Sequence, residues 1–242
     1  KNDNVIRRTD GSGAVTRYYY DEANRLIYSI DALGGITRNW YDANGRVAAT
    51  RSFSQSLTAV QLGALSDAST ISQLDGQLTW LAADAGQNWV YDRDGQRRFG
   101  VDITGAVQRT LYDVAGRVIG TRVYAARISP DATLWGKLYA GTALPADIAV
   151  VANTTLDQLS WQVLDQAGLA RYTIDALGNV QERYYDAANR LVGTRGYAAA
   201  IVVDAALRAK LDAGTALLSD IVAKISVNDG KDLRTYQVLD AA

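Results

Sequence analysis

One short spacing, written many times, constrains this chain more than anything else in it. An aspartate followed three residues later by glycine or asparagine occurs at Asp10, Asp21, Asp31, Asp42, Asp92, Asp102, Asp113, Asp165, Asp175 and Asp186. With 24 Asp and 31 Gly plus Asn among 242 residues, about three copies of such a turn signature would arise by chance. The ten copies are also in register. Within each cluster, neighbouring aspartates stand alternately ten and eleven positions apart, and an eleventh Asp, Asp240, falls in phase. Regular self-similarity of this kind, with pairs of turns recurring about every 21 residues, is the mark of a repeat architecture.

The unit has a physical reading. Asp at the first turn position accepts hydrogen bonds from its own backbone, and the two residues after it stay right-handed. Gly or Asn then takes the left-handed conformation other residues avoid. A type I turn followed by a bulge joins antiparallel strands. The flanking segments alternate as strands do: Val15, Arg17 and Tyr19 share one face, and Thr16, Tyr18 and Tyr20 the other. Each step from one aspartate to the next is therefore one strand and one turn. At least seven strands follow.

A longer period lies on top. Asp21, Asp92, Asp165 and Asp240 open successive clusters, at separations of roughly 73 residues. Thr50-Arg51-Ser52-Phe53, Thr121-Arg122-Val123-Tyr124 and Thr194-Arg195-Gly196-Tyr197 stand at the same place in each. The chain thus reads as modules 1–79, 80–159 and 160–232, with the start of a fourth over 233–242. Between the strand clusters, 54–79, 126–159 and 199–232 follow helical spacing. The first carries Leu57, Leu62 and Leu65, and the second opens at Ser129-Pro130 and stops at Gly141. The third is capped by Asp204 and closed by Gly214. Second helices are expected over 71–78, 145–152 and 217–225. The expected fold is mainly β: tandem antiparallel hairpins in an extended or spiralling sheet, with a short helical hairpin in each module of about 73 residues. Each helical hairpin is expected to bury its apolar face on its own module's sheet.

Composition removes whole classes of chemistry. There is no His and no Cys, so triad hydrolases, thiolate nucleophiles and Cys-rich zinc sites are excluded, and no enzyme activity is expected. A net charge of −1 gives no footprint for nucleic acid or an anionic membrane, and no apolar run is long enough to span a bilayer. Asp92-Arg93-Asp94-Gly95 hints at a calcium loop but lacks its spacing and its terminal glutamate. No cofactor or metal is expected. The absence of Met at position 1 suggests a processed or excised piece. Aspartate outnumbers glutamate 24 to 2, which belongs to turns rather than to helical surfaces.

YDEANRL from Tyr20, YDANGRV from Tyr41, YDVAGRV from Tyr112 and YDAANRL from Tyr185 resemble the YD repeat of the Rhs family. So do DALGGITR from Asp31, DITGAVQR from Asp102 and DALGNVQERYYD from Asp175. That family includes bacterial wall-associated proteins, toxin-complex components and the teneurins. The resemblance implies a non-enzymatic scaffold in a larger exported or surface-associated bacterial protein. Such a scaffold would form part of a β-shell or stalk that encloses or displays a toxin or adhesive domain. Its partners would be adjacent repeats of the same parent chain and an enclosed toxin domain. The alternative is a carbohydrate- or protein-binding surface in cell contact, using ladders of aromatic rings and arginines; its partner would be a cell-surface glycan or protein. The residues carried over are fold determinants only. They are Tyr20, Asp21, Asn24 and Arg25; Asp31 and Gly34; Tyr41, Asp42, Gly45 and Arg46; Tyr91, Asp92 and Gly95; Asp102 and Gly105; Tyr112, Asp113, Gly116 and Arg117; Asp165 and Gly168; Asp175 and Gly178; and Tyr185, Asp186, Asn189 and Arg190. Gln96 and Leu169 stand where Arg is expected, and Leu164 where Tyr is expected.

Overall fold

A computed structural model describes residues 4–153 and 155–237. Asp240, and with it the end of the fourth approach strand, lies outside the described residues. Strands follow one another at the repeat spacing. They are β1 (Arg7–Thr9), β2 (Val15–Tyr20), β3 (Leu26–Ile30), β4 (Ile36–Tyr41), β5 (Val47–Ser52), β6 (Ala85–Tyr91) and β7 (Arg97–Asp102), then β8 (Val107–Tyr112), β9 (Val118–Val123), β10 (Gln158–Leu164), β11 (Ala170–Asp175), β12 (Val180–Tyr185), β13 (Leu191–Gly196) and β14 (Leu233–Tyr236). All lie in sequence order in one antiparallel sheet. The ten turn signatures all take the expected conformation, with positive φ at Asn24 and Asn189 and at the glycine of the other eight.

Turns close alternate ends of the strands. Those opened by Asp21, Asp42, Asp92, Asp113, Asp165 and Asp186 close one end, and those at Asp10, Asp31, Asp102 and Asp175 the other. The three inserts replace a turn at this second end, after β5, β9 and β13. They hold α1 (Ala59–Ala64) and α2 (Ile71–Asp75), α3 (Ala132–Ala140), and α4 (Ala205–Ala213) and α5 (Leu218–Val222). Helix α3 starts at Asp131, whose carboxylate accepts the Leu134 amide, and not at Ser129. The helix expected over 145–152 is only a 3-10 turn, Pro145–Asp147. Ile148, Val150 and Val151 follow it, and β-branched side chains disfavour helical continuation. Among the described residues no helix is long and apolar enough to cross a membrane.

The chain divides into two compact units, Lys1–Ala106 with Arg127–Ala149, and Val107–Ala126 with Val150–Ala242. In the first, Tyr19, Tyr28, Ile30 and Ile36 on one strand face pack with Phe53, Leu57, Leu65 and Leu74 from the end of β5 and the first insert. In the second, Trp161, Val163, Tyr172 and Ile174 pack with Leu207, Leu211 and Ile221. Burying each such aliphatic side chain contributes about 1.5–3 kcal/mol, far more than helices this short could supply for themselves.

The inserts cover the sheet, as a one-faced helix must, but not only within their own module. Helix α3 of the second module lies on β4, β5 and β6, and α4 of the third on β8 and β10. Each therefore lies on strands to either side of the boundary expected from the sequence, 79/80 for α3 and 159/160 for α4. The reason is steric. The αL glycine that ends each helix sits directly on a turn aspartate of the preceding module. A Cβ on Gly141 would stand 2.4 Å from Cβ of Asp42, and one on Gly214 would stand 2.8 Å from Cβ of Asp113.

Candidate functional site

The repeated groups form three kinds of joint, and each spends its polar atoms on the fold. The first is the YD turn. In every one of the six at this end, the Asp Oδ1 accepts the amide four residues on, as in Arg25 to Asp21 at 2.9 Å and Leu169 to Asp165 at 2.9 Å. Where the following Arg is present, its Nε donates to Oδ2 of the same Asp, at 2.7–2.8 Å for Arg25, Arg46, Arg117 and Arg190. Burial alone would push the carboxyls of Asp21, Asp42 and Asp113 up. The amides and guanidinium around each outweigh it and hold them below the usual range.

Gln96 leaves Asp92 without that partner, and the structure supplies another. Arg98, two residues further along β7, donates its Nε to Asp92 Oδ2 at 2.6 Å. The other degenerate copy, with Leu164 and Leu169, keeps the bond from the Leu169 amide to Asp165 Oδ1.

The motif tyrosines couple one hairpin to the next. The ladder slips register immediately before each of them, at Tyr20, Tyr41, Tyr91, Tyr112 and Tyr185. Tyr20, Tyr41, Tyr91 and Tyr185 then donate their hydroxyls to the carbonyls of Val5, Leu26, Val47 and Ala170 at 2.9–3.1 Å. Arg25 lies over the Tyr41 ring at 4.8 Å and Arg46 over the Tyr91 ring at 4.2 Å.

The second joint lies at the opposite end, where an insert leaves the sheet. The carbonyls of Gly34, Gly105 and Gly178 accept the amides of Leu57, Ile128 and Ile201 at 2.8–2.9 Å. A Cβ on these glycines would meet the carbonyl oxygens of Leu57, Ile128 and Ile201 at 2.4, 1.9 and 2.0 Å. Asparagine, which replaces glycine at Asn24 and Asn189, has no room here.

The third joint is a staple between residues far apart in the sequence. Arg51, Arg122 and Arg195, the arginines of the three Thr-Arg segments, donate Nε to Asp84, Asp157 and Asp232 at 2.8, 2.8 and 3.0 Å. All three carboxylates are fully buried. Each also accepts an amide from the chain that leaves the strand, from Ser54, Ala125 and Ala198 respectively, at 2.9 Å. Each staple therefore ties the start of an insert to its end. Burial would raise the Asp84 carboxyl, but the Ser54 and Leu81 amides, the Ser54 hydroxyl and the Arg51 guanidinium prevail, so it is held down at about 2. A signal was present in the sequence: each of the three arginines is followed, at a slowly growing distance, by an aspartate near the end of its insert.

Beyond the repeats, one polar constellation is written once. Glu182 accepts hydroxyls from Tyr172 and Tyr197 as well as from Tyr184, at 2.8 Å in the last case. Burial first, then the neighbouring carboxylate, pushes the Tyr172 hydroxyl up to about 12, so it stays a donor. Both carboxylate oxygens are thereby engaged in holding β11, β12 and the end of β13 together.

Sheet, turns and joints define the class: a repeat-built β protein whose characteristic residues connect each unit to its neighbour. Residues 1–36 match the family model of the RHS repeat. The same turn is carried beyond the matched segment, through to Asn189. No curated protein matches it. Among solved structures, the crystal structure of TcdB2-TccC3-TEV is similar over 84% of this chain and 9% of that one, at 15% identity and a TM-score of 0.49. The Photorhabdus luminescens Tc holotoxin pore with the mutation TccC3-D651A is similar over 79% of this chain and 9% of that one, at 16% identity and a TM-score of 0.46. The chain spans about a tenth of the length of those it matches.

Proposed function

We propose that this chain is a load-sharing segment of a larger exported Rhs-like scaffold, a wall or stalk that encloses or displays a toxin or adhesive domain. The observation that carries the reading is the destination of the repeated side chains. Aspartates close turns, arginines clamp them, tyrosine hydroxyls reach the neighbouring hairpin, and buried Arg–Asp pairs lock the inserts. Groups spent in this way serve the connections between repeats. Enclosure of a toxin, export and the motif residues' purely structural role belong to this proposal, and the RHS repeat in 1–36 supports them. The alternative of a glycan- or protein-binding ladder has less to work with, because one face of Tyr41 and one of Tyr91 is already covered by a guanidinium.

A scaffold of this kind behaves as a quasi-one-dimensional array. A chain ending at Leu159, which retains Asp157 and the second staple, should keep its β circular-dichroism signal and unfold in urea at a lower midpoint, with a slope reduced in proportion to the surface removed. Complete loss of structure on that truncation would refute the nearest-neighbour logic behind the proposal.

A further inference from the structure

The two boundary-straddling helices are built on one plan, which makes their differences informative. Helices α3 and α4 each have nine residues, an Asp N-cap, a lysine in the last turn and an αL glycine, so Trp135 corresponds to Arg208 and Tyr139 to Asp212. In the second unit these positions complete a closed, polar arrangement. Asp212 accepts the indole N–H of the fully buried Trp161 at 2.7 Å, and Arg208 lies over the same ring at 5.3 Å. In the first unit the same positions line an open cavity of about 680 Å³. Its walls are Trp80, Leu81, Ile103, Ala132, Trp135 and Tyr139. The rings touch: Tyr139 lies 4.9 Å from Trp80 and 6.0 Å from Trp135 between centroids. Trp80 remains 49% exposed and Leu81 40%.

The polar groups at this wall are already engaged. Arg51 is neutralised by Asp84, donates to the Tyr139 hydroxyl at 3.0 Å and covers the Trp80 ring at 4.2 Å. Thr104 donates to Asp102 at 2.7 Å and accepts from Arg127. A cation would meet a guanidinium across Trp80, an anion would find that guanidinium paired, and a sugar would find its hydroxyls poorly matched. Volume and lining fall in the range of small-molecule sites. The geometry points to a binding site for an uncharged aromatic small molecule of two or three fused rings, stacked between Trp80 and Trp135. The site is written once in a chain that otherwise repeats itself, and it abuts the Arg51–Asp84 staple without using a polar group that the staple leaves free.

The test uses the full chain labelled with 5-fluorotryptophan, whose five tryptophans give separate fluorine resonances. Titration with 2-naphthol should shift the Trp80 and Trp135 signals saturably and leave Trp89 and Trp161 in place. Trp135→Arg and Tyr139→Asp, which install the second unit's residues, should weaken binding by about tenfold or more with the melting temperature retained. Should either fail to fold, Ala132→Leu, which fills the cavity from its edge, must weaken binding likewise. The inference is overturned by the absence of a saturable shift, by equal shifts at all five tryptophans, or by tighter binding of trimethylphenylammonium, naphthalene sulfonate or cellobiose.

Discussion

Asp84→Ala tests the staple where it is most buried. The Asp84 carboxylate is 0% exposed and its partner Arg51 is 7% exposed, so neither charge has ready access to water. Removing one member of a buried pair typically costs about 3–5 kcal/mol, because the other charge is left uncompensated. Two considerations place Asp84→Ala at the lower end. Arg51 keeps bonds to the Tyr139 hydroxyl and the Leu81 carbonyl, and Ser54 and Leu81 lie at the surface, where water can take over their amides. A loss of about 3 kcal/mol at neutral pH is expected. The pH dependence supplies an independent reading. The carboxyl is held at about 2 against an ordinary 3.8, so its contribution is complete above the ordinary value and disappears as pH falls through the folded one. That part amounts to about 2 kcal/mol. The gap between the parent and Asp84→Ala should therefore narrow by about that amount between about pH 5 and about pH 2. Urea unfolding followed by tryptophan fluorescence reads it, since Trp80 stacks on Arg51. Arg51→Met combined with Asp84→Leu should recover much of the loss, because no orphaned charge remains. A cost below about 1 kcal/mol, the value for exposed pairs, together with a gap unchanged by pH, would refute the reasoning.

The other joints give sharper contrasts within the same chain. Gly105→Asn should cost more than about 3 kcal/mol in urea melts and Gly45→Asn less than about 1, because only the first meets a carbonyl oxygen where its Cβ would go. Equal costs would show that positive φ alone decides. Gly214→Val should lift α4 from the sheet, so amide exchange in the turn at Asp113 should rise selectively over the turn at Asp21; uniform protection would contradict the contact. Arg98→Ala should destabilise by about 0.5–1 kcal/mol and be rescued by adding Gln96→Arg, which restores the usual partner of Asp92; failure of the rescue would mean that Arg98 acts elsewhere.

The turns and strands were legible because their cause is local. Asp and Gly or Asn at fixed offsets determine a turn by themselves, and the approach strands alternate between them. Helix caps were legible for the same reason at Asp204, Gly141 and Gly214. At Ser129-Pro130 a plausible start lost to Asp131, whose side chain reaches the Leu134 amide. The staples are not legible in this way, although Arg51, Arg122 and Arg195 stand at the same place in each repeat. Their partners lie a whole insert away along the chain, across segments of unequal length, and many aspartates compete for the role. Nor could the target of α3 and α4 be read. Amphipathic spacing says that a face must be buried, but only three-dimensional packing chooses between the sheet of one module and that of the module before it.

The distribution of glycine and asparagine among the turns follows from the same packing. Asn24 and Asn189 lie at the YD end of the strands, where both residues are exposed. At the insert end, Gly34, Gly105 and Gly178 lie against the backbone of the emerging insert, and each is glycine. Gly13 shares that end, yet nothing lies within 4 Å of where its Cβ would be, because no insert emerges beside the turn at Asp10. Left-handed geometry therefore explains why every turn has Gly or Asn, while contact with an insert explains where asparagine is excluded. By that reasoning, the turn at Gly13 should accept asparagine as readily as the YD turns do, even though its place along the strands groups it with the glycine-only turns.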